Sequence, residues 1–111
     1  MNKIINGVKS FKKNIFPRRK KFYKDLMKGQ QPEVLFITCS DSRIDPNLIT
    51  QTDPGEMFVV RNAGNIVPPE NENDFGMTAS IEFALDSLGV KNIIICGHTG
   101  CGAVKGATDL T

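Results

Sequence analysis

"VLFITCSDSRID", residues 34–45, decides how this chain folds. "VLFIT" (34–38) is an unbroken β-prone apolar run, the composition of a short strand buried on both faces. It ends at Cys39, and Asp41, Arg43 and Asp45 crowd the next six positions. A strand end that brings a thiol, a carboxylate and a guanidinium into one small volume needs a chemical reason.

Two more runs share that character: "MFVV" (57–60), after the turn signal "DPGE" (53–56), and "NIIIC" (92–96). "NAGNIVPPENENDFG" (62–76) carries glycines, asparagines and two prolines and is expected to be loop. "MTASIEFALDSLG" (77–89) has helical period, with Met77, Ile81, Ala84, Leu85 and Leu88 on one stripe and Gly89 as the glycine that ends it. Phe83 falls on the side opposite Ile81 and Leu85. "GHTGCGAVKG" (97–106) is expected to be a glycine-rich turn. Upstream, residues 1–28 look helical, broken at Pro17, and "KGQQPE" (28–33) is a turn.

Strand, connection, strand, helix, strand is the order of parallel winding, so the expected fold is α/β: a parallel sheet flanked by helices. Two parts are expected, a basic helical arm over 1–28 and an α/β domain over 29–111. Ligands of such sheets lie beyond the carboxyl ends of the strands. Every chemically loaded residue falls there: Cys39, Asp41 and Arg43 after the first strand, Arg61 after the second, His98 and Cys101 after the third.

The 111 residues suffice for a single core, and 40% hydrophobic with 23% charged residues is ordinary for a soluble domain. No run approaches the ~20 apolar residues of a membrane span. "MNKIINGVKSFKKNIF" lacks the apolar stretch and cleavage site of a secretory signal, so a cytoplasmic location is expected. Three cysteines (Cys39, Cys96, Cys101) argue against a disulfide framework and for reduced thiols.

The net charge of +2 is uneven: residues 1–28 hold ten Lys or Arg against Asp25, and residues 29–111 hold four against eleven acids. "PRRKKFYK" (17–24) has the charge of an arm for nucleic acid or a membrane surface. The aromatics keep to one face and no recognised binding module is present. The expectation is therefore a solvated helix whose Phe11, Ile15, Phe22 and Leu26 dock on a neighbour, with neither nucleic acid nor membrane as partner.

Cys39 and His98 are far apart in sequence, yet each ends a buried strand, and neighbouring strands would bring them together. His98-x-x-Cys101 is a spacing at which a tight turn can aim imidazole and thiolate at one centre. Two thiolates and one imidazole suit Zn²⁺, and three protein ligands leave a fourth position for water, as in catalytic zinc. Asp41 either occupies that position or hydrogen-bonds whatever does. A redox or inert thiol site is the competing reading, and Cys96, inside its strand, is expected to be packed core. Phosphate cradling fails the specific tests, because the glycine-rich turn matches neither the P-loop nor the dinucleotide pattern. Its glycines are expected to let the backbone approach the metal.

"CSDSR" (39–43) with "GHTGCG" (97–102) resembles the β-class carbonic anhydrases, whose hallmark is Cys-x-Asp-x-Arg followed by His-x-x-Cys. "GQQP", "PGEMFVVRNAGNIVPP" (54–69), "SIEFALDSLGV" (80–90) and "GAVKG" (102–106) resemble the same family in the same order. The resemblance implies one zinc per chain, held by Cys39, His98 and Cys101. Asp41 either fills the fourth position or pairs with Arg43 and lets water bind. By the same resemblance, zinc would lower the pKa of bound water from about 15.7 to about 7, the water would give up a proton, and the hydroxide so formed would add to CO₂ to give bicarbonate. Arg43 would hold the Asp41 carboxylate off the metal, leaving it to orient the nucleophile.

Gln30 matches a glutamine that hydrogen-bonds substrate, often across a dimer interface. Phe58 matches an apolar residue of the CO₂ pocket, with a core role as the alternative, and Gly102 a glycine whose amide lies beside the metal. Arg61 is expected to order its loop rather than touch substrate. A homodimer or higher homo-oligomer is implied.

Two departures stand out. Phe83 occupies a position where many members have tyrosine, which removes one candidate substrate hydrogen bond. Relatives also continue well past the position of Thr111, with a further strand and covering helices, so the fold is expected to be incomplete relative to the full family fold. The alternative function is accordingly an inactive zinc-binding fragment or remnant that only assembles with partner subunits.

Overall fold

A computed structural model describes residues 1–69 and 75–109. They form two compact units, Met1–Gln30 and Gln31–Thr111. In the first, helix α1 (Asn2–Ser10) runs through a π-helical turn (Phe11–Ile15) and a 3₁₀ turn (Phe16–Arg19) into α2 (Lys20–Leu26). The break falls where Pro17 removes a helical hydrogen bond. The bend gathers Phe11, Phe16, Phe22 and Tyr23, with successive ring centroids 5.2–5.6 Å apart from Phe11 through Tyr23 to Phe22. Phe11, Phe22 and Leu26 are half-buried, whereas Ile15 is exposed. No described helix is long and apolar enough to cross a membrane.

The second unit is built on a parallel sheet of β1 (Val34–Cys39), β2 (Met57–Asn62) and β3 (Asn92–Cys96), in the order β2-β1-β3. The register sets Cys39 opposite Asn62 and Thr38 opposite Cys96. The chain leaves β1 to one side and returns on the other, so the carboxyl ends of β1 and β3 flank the point where the strand order reverses, the usual place for a ligand crevice. Helix α4 (Phe75–Glu82), extended by a π-helical stretch (Phe83–Ser87), covers one face. Leu35 and Ile37 from β1, Val60 from β2, and Met77, Ala84 and Val90 form the buried core there, with Phe58, Ile81 and Leu88 packed against it.

Several expectations need correcting. Only β1 is buried on both faces; Ile93 and Ile95 of β3 are 51% and 60% exposed. Apolar runs mark strands but not which strand is central, and β3 is an edge strand among the described residues. Leu85 leaves the predicted helical stripe and is 41% exposed. The π-helical turn, closed by Leu88 N–H on the Phe83 carbonyl (3.0 Å), explains this: its wider pitch rotates Leu85 outward while Ala84 and Leu88 stay inward. Gly89 sits at φ 64, and Val90 N–H reaches back to the Ala84 carbonyl at 3.1 Å.

The predicted turn over 97–106 becomes helix α5 (Gly102–Thr108) from its middle onward. Of the predicted loop 62–76, Asn62 belongs to β2 and residues 75–76 to α4, while 70–74 lie outside the described residues. Cys96 is half-buried rather than core, its Sγ 3.5 Å from the Gly97 carbonyl.

A short helix, α3 (Pro46–Thr50), appears where no element was expected. Its start is written in Asp45-Pro46: the carboxylate accepts from Leu48 N–H at 3.2 Å and proline takes the first helical position. Asp45→Ala is expected to cost about 1 kcal/mol, read as a lower urea midpoint at unchanged slope.

Candidate metal centre

Three side chains converge beyond the strand ends. Cys39 is the last residue of β1, His98 lies two residues past β3, and Cys101 immediately precedes α5. Their ligand atoms lie within 4.8 Å of one another, and the two sulfurs are 3.9 Å apart. A tetrahedral ion with bonds of about 2.3 Å to each sulfur would hold them about 3.8 Å apart. Nε2 of His98 is buried and has no hydrogen-bond partner, an exceptional state for a polar atom. Its other nitrogen, Nδ1, sits 2.9 Å from the Thr99 carbonyl, so an N–H there leaves the Nε2 lone pair for an ion. Spacing, orphaned nitrogen and donor set all fit Zn²⁺.

The electrostatics agree. The Cys39 thiol is pulled down to about 6, chiefly by the backbone N–H of Gly64, then by His98 and the Asp41 amide, against a smaller opposing effect of burial. His98 is pushed up, first by the neighbouring Cys39 sulfur and then by the Thr99 carbonyl. Negative charge that favours a proton at Nε2 favours a cation in its place.

The fold favours the Cys39 thiolate, so that preference is present above an ordinary thiol value and lost as pH falls through about 6. In the metal-free protein, one thiolate's ultraviolet absorbance is expected to persist down to about pH 6. Loss of all thiolate signal near an ordinary value of about 8.5 would contradict this.

Asp41 and Arg43 form a bidentate pair. Arg43 Nε donates to Oδ1 at 2.9 Å and a terminal nitrogen donates to Oδ2 at 2.7 Å, while the Arg43 backbone N–H also reaches Oδ1 at 2.9 Å. The guanidinium therefore holds the carboxyl well below the usual carboxylate range, and Arg43 in turn keeps its proton more tightly. The same guanidinium donates to the Gly100 carbonyl at 3.2 Å, tying this loop to the His98–Cys101 turn. Gly100 adopts φ 66, a conformation that favours glycine. Oδ2 of Asp41 lies 3.7 Å from Nε2 of His98.

Arg61, at the end of β2, donates to the carbonyls of Cys39, Asp41 and Ile44 at 2.9–3.0 Å. One planar fork thus holds the backbone on which thiol and carboxylate sit. Phe58 lines a cavity of about 400 Å³ between β2 and α4 together with Arg61, Asn62, Met77 and Ser80, and its ring is 5.7 Å from that of Phe83. A second cavity, about 530 Å³, is bordered by His98, Cys101, Asn65 and Lys105. Gly102 begins α5 beside Cys101. Gln30 is exposed at the end of the helical unit.

Sequence reasoning missed Gly64, whose N–H lies 3.2 Å from Cys39 Sγ. A glycine just past the end of the strand beside Cys39 was the available signal. A Cβ at Gly102 would meet nothing within 4 Å, whereas at Gly64, φ 89, it would meet Ile66 at 3.2 Å. The Gly64 amide thus makes a close backbone approach to the Cys39 sulfur.

A family model described as carbonic anhydrase matches residues 34–111. The carbonic anhydrase of Synechococcus elongatus is 50% identical over 110 residues, covering 99% of this chain and 40% of that one. The solved β-carbonic anhydrase CcaA superposes with a TM-score of 0.95 at 47% identity, covering 99% of this chain and 49% of its own. A β-carbonic anhydrase from Sordaria macrospora, one of two described as tetrameric, has a TM-score of 0.86 at 38% identity, covering 96% and 53%. The chain spans about half the length of the relatives it matches.

Proposed function

The chain belongs to the carbonic anhydrase family, in its β class, and from that premise we propose that it carries a zinc centre for the reversible hydration of CO₂ to bicarbonate and a proton. Cys39, His98 and Cys101 would hold one ion per chain; the observation that carries this is the buried, unpartnered Nε2 of His98 facing two sulfurs 3.9 Å apart. When bound, zinc supplies the Lewis acidity that makes a water-derived nucleophile available near neutral pH.

The chain's own groups do the positioning. Asp41, kept ionised and clamped by Arg43, is an acceptor only, so it orients a nucleophile through that nucleophile's hydrogen rather than competing for the metal. Arg43 performs a second task through Gly100, holding the His98–Cys101 turn at a fixed distance from Asp41. CO₂ carries no charge and is best met by an apolar wall, the role proposed for Phe58, with the Gly102 amide as a donor to bicarbonate oxygens. A homodimer or higher oligomer is proposed, in line with the tetrameric relatives. Free thiols suit a reducing compartment such as the cytoplasm.

A second reading has its own support. The outer side of β3 is bare among the described residues and the chain matches about half of each relative, which favours a catalytically inactive zinc-binding fragment or remnant that only assembles with partner subunits. Stopped-flow CO₂ hydration on the purified chain, with metal analysis of the same sample, separates the two. About one zinc per chain with hydration above the uncatalysed rate supports the enzyme; zinc without hydration leaves the second reading.

A further inference from the structure

Resting on the metal-centre reading above, we propose that Asn62 is a positioning residue: it locks the turn over residues 62–66 so that the Gly64 backbone N–H donates to the Cys39 sulfur and tunes that sulfur as a metal ligand.

The β1–β2 ladder reaches its end at the pair Cys39 and Asn62, and one more bond continues it, from Ser40 N–H to the Asn62 carbonyl at 2.8 Å. Asn62 therefore sits directly beside the ligand without touching its sulfur. Its side chain closes the turn that follows: Oδ1 accepts from Ile66 N–H at 2.9 Å and Nδ2 donates to the Ile66 carbonyl. The Asn65 N–H also approaches the Asn62 carbonyl, at 3.4 Å. Within this closed turn Gly64 takes φ 89, and its N–H lands 3.2 Å from Cys39 Sγ in a buried contact.

The chemistry asks for an amide at position 62. Only a side chain with one donor and one acceptor in a single plane satisfies both the N–H and the carbonyl of Ile66. Aspartate supplies the acceptor alone, and leucine fills similar volume with neither. The consequence for the site is electronic. An N–H aimed at a thiolate draws charge from the sulfur, so the sulfur donates less to its ion and the ion stays a stronger Lewis acid. It also fixes the direction of the sulfur lone pairs.

The test uses ¹¹³Cd-loaded, ¹⁵N-labelled chain. The expected result is a scalar coupling between cadmium and the Gly64 amide proton, transmitted across the N–H···S contact. Asn62→Leu should abolish that coupling and, because a sulfur no longer held in direction outweighs its gain in donor strength, release metal to a chelator about tenfold faster or more. Asn62→Asp should retain a weakened coupling with an intermediate rate. Should Asn62→Leu fail to fold, the native chain and Asn62→Asp decide alone: a full-strength coupling in Asn62→Asp overturns the role of Asn62. Cadmium bound through thiolates with no Gly64 coupling overturns the proposal while sparing the metal centre. Absence of thiolate-bound cadmium in the native chain overturns the metal-centre reading, and the proposal falls with it.

Discussion

Cys39→Ser is expected to carry almost no zinc after dialysis, against about one per chain for the parent, and to lose CO₂ hydration with it. The substitution is nearly isosteric at a buried position, so the sheet should survive and its circular dichroism should be unchanged. What is lost is a soft anionic donor. A serine hydroxyl stays protonated at neutral pH, and the remaining imidazole and single thiolate make a two-ligand site of much lower affinity. Gly64 N–H would then face a neutral oxygen, without the charge that makes the present contact strong. Full zinc retention in a folded Cys39→Ser protein would remove Cys39 from the ligand set.

Arg43→Gln is the other large effect, and it separates holding the metal from using it. No metal ligand is removed, so zinc content should remain near that of the parent. The Asp41 carboxylate, however, loses both guanidinium bonds, and its affinity for protons returns toward the ordinary value of about 3.9. It already lies 3.7 Å from His98 Nε2, so a released carboxylate is within easy reach of the fourth metal position. Turnover should fall by about 100-fold, the upper range for losing a partner that orients a metal site. The tie from Arg43 to Gly100 goes too, so metal release should be somewhat faster. Unchanged turnover would show that Asp41 needs no clamp.

The fold was legible where composition and topology agree. Continuous apolar runs placed β1, β2 and β3 to within two residues, and parallel winding put Cys39, His98 and Cys101 at one edge although the first is far from the others in sequence. The order β2-β1-β3 was not legible, because three apolar runs of like character carry no mark of which is central: "NIIIC" reads as buried as "VLFIT", yet Ile93–Ile95 are exposed beside a buried β1. Nor was the π-helical turn, since an extra residue in a helix leaves no mark on a period inferred from spacing. Helix α5 was hidden by Gly102 and Gly106, which weaken helical propensity without preventing a helix. At the site, side-chain chemistry announced itself through residue type. The backbone donors and acceptors, Gly64 N–H and the Gly100 carbonyl, did not, because a main-chain group carries no identity in the sequence.

Zinc K-edge X-ray absorption on the zinc-loaded chain tests the metal centre most directly. Two sulfur scatterers at about 2.3 Å with nitrogen or oxygen at about 2.0–2.1 Å per zinc is the predicted shell; a shell with no sulfur, one sulfur, or more than two would contradict it.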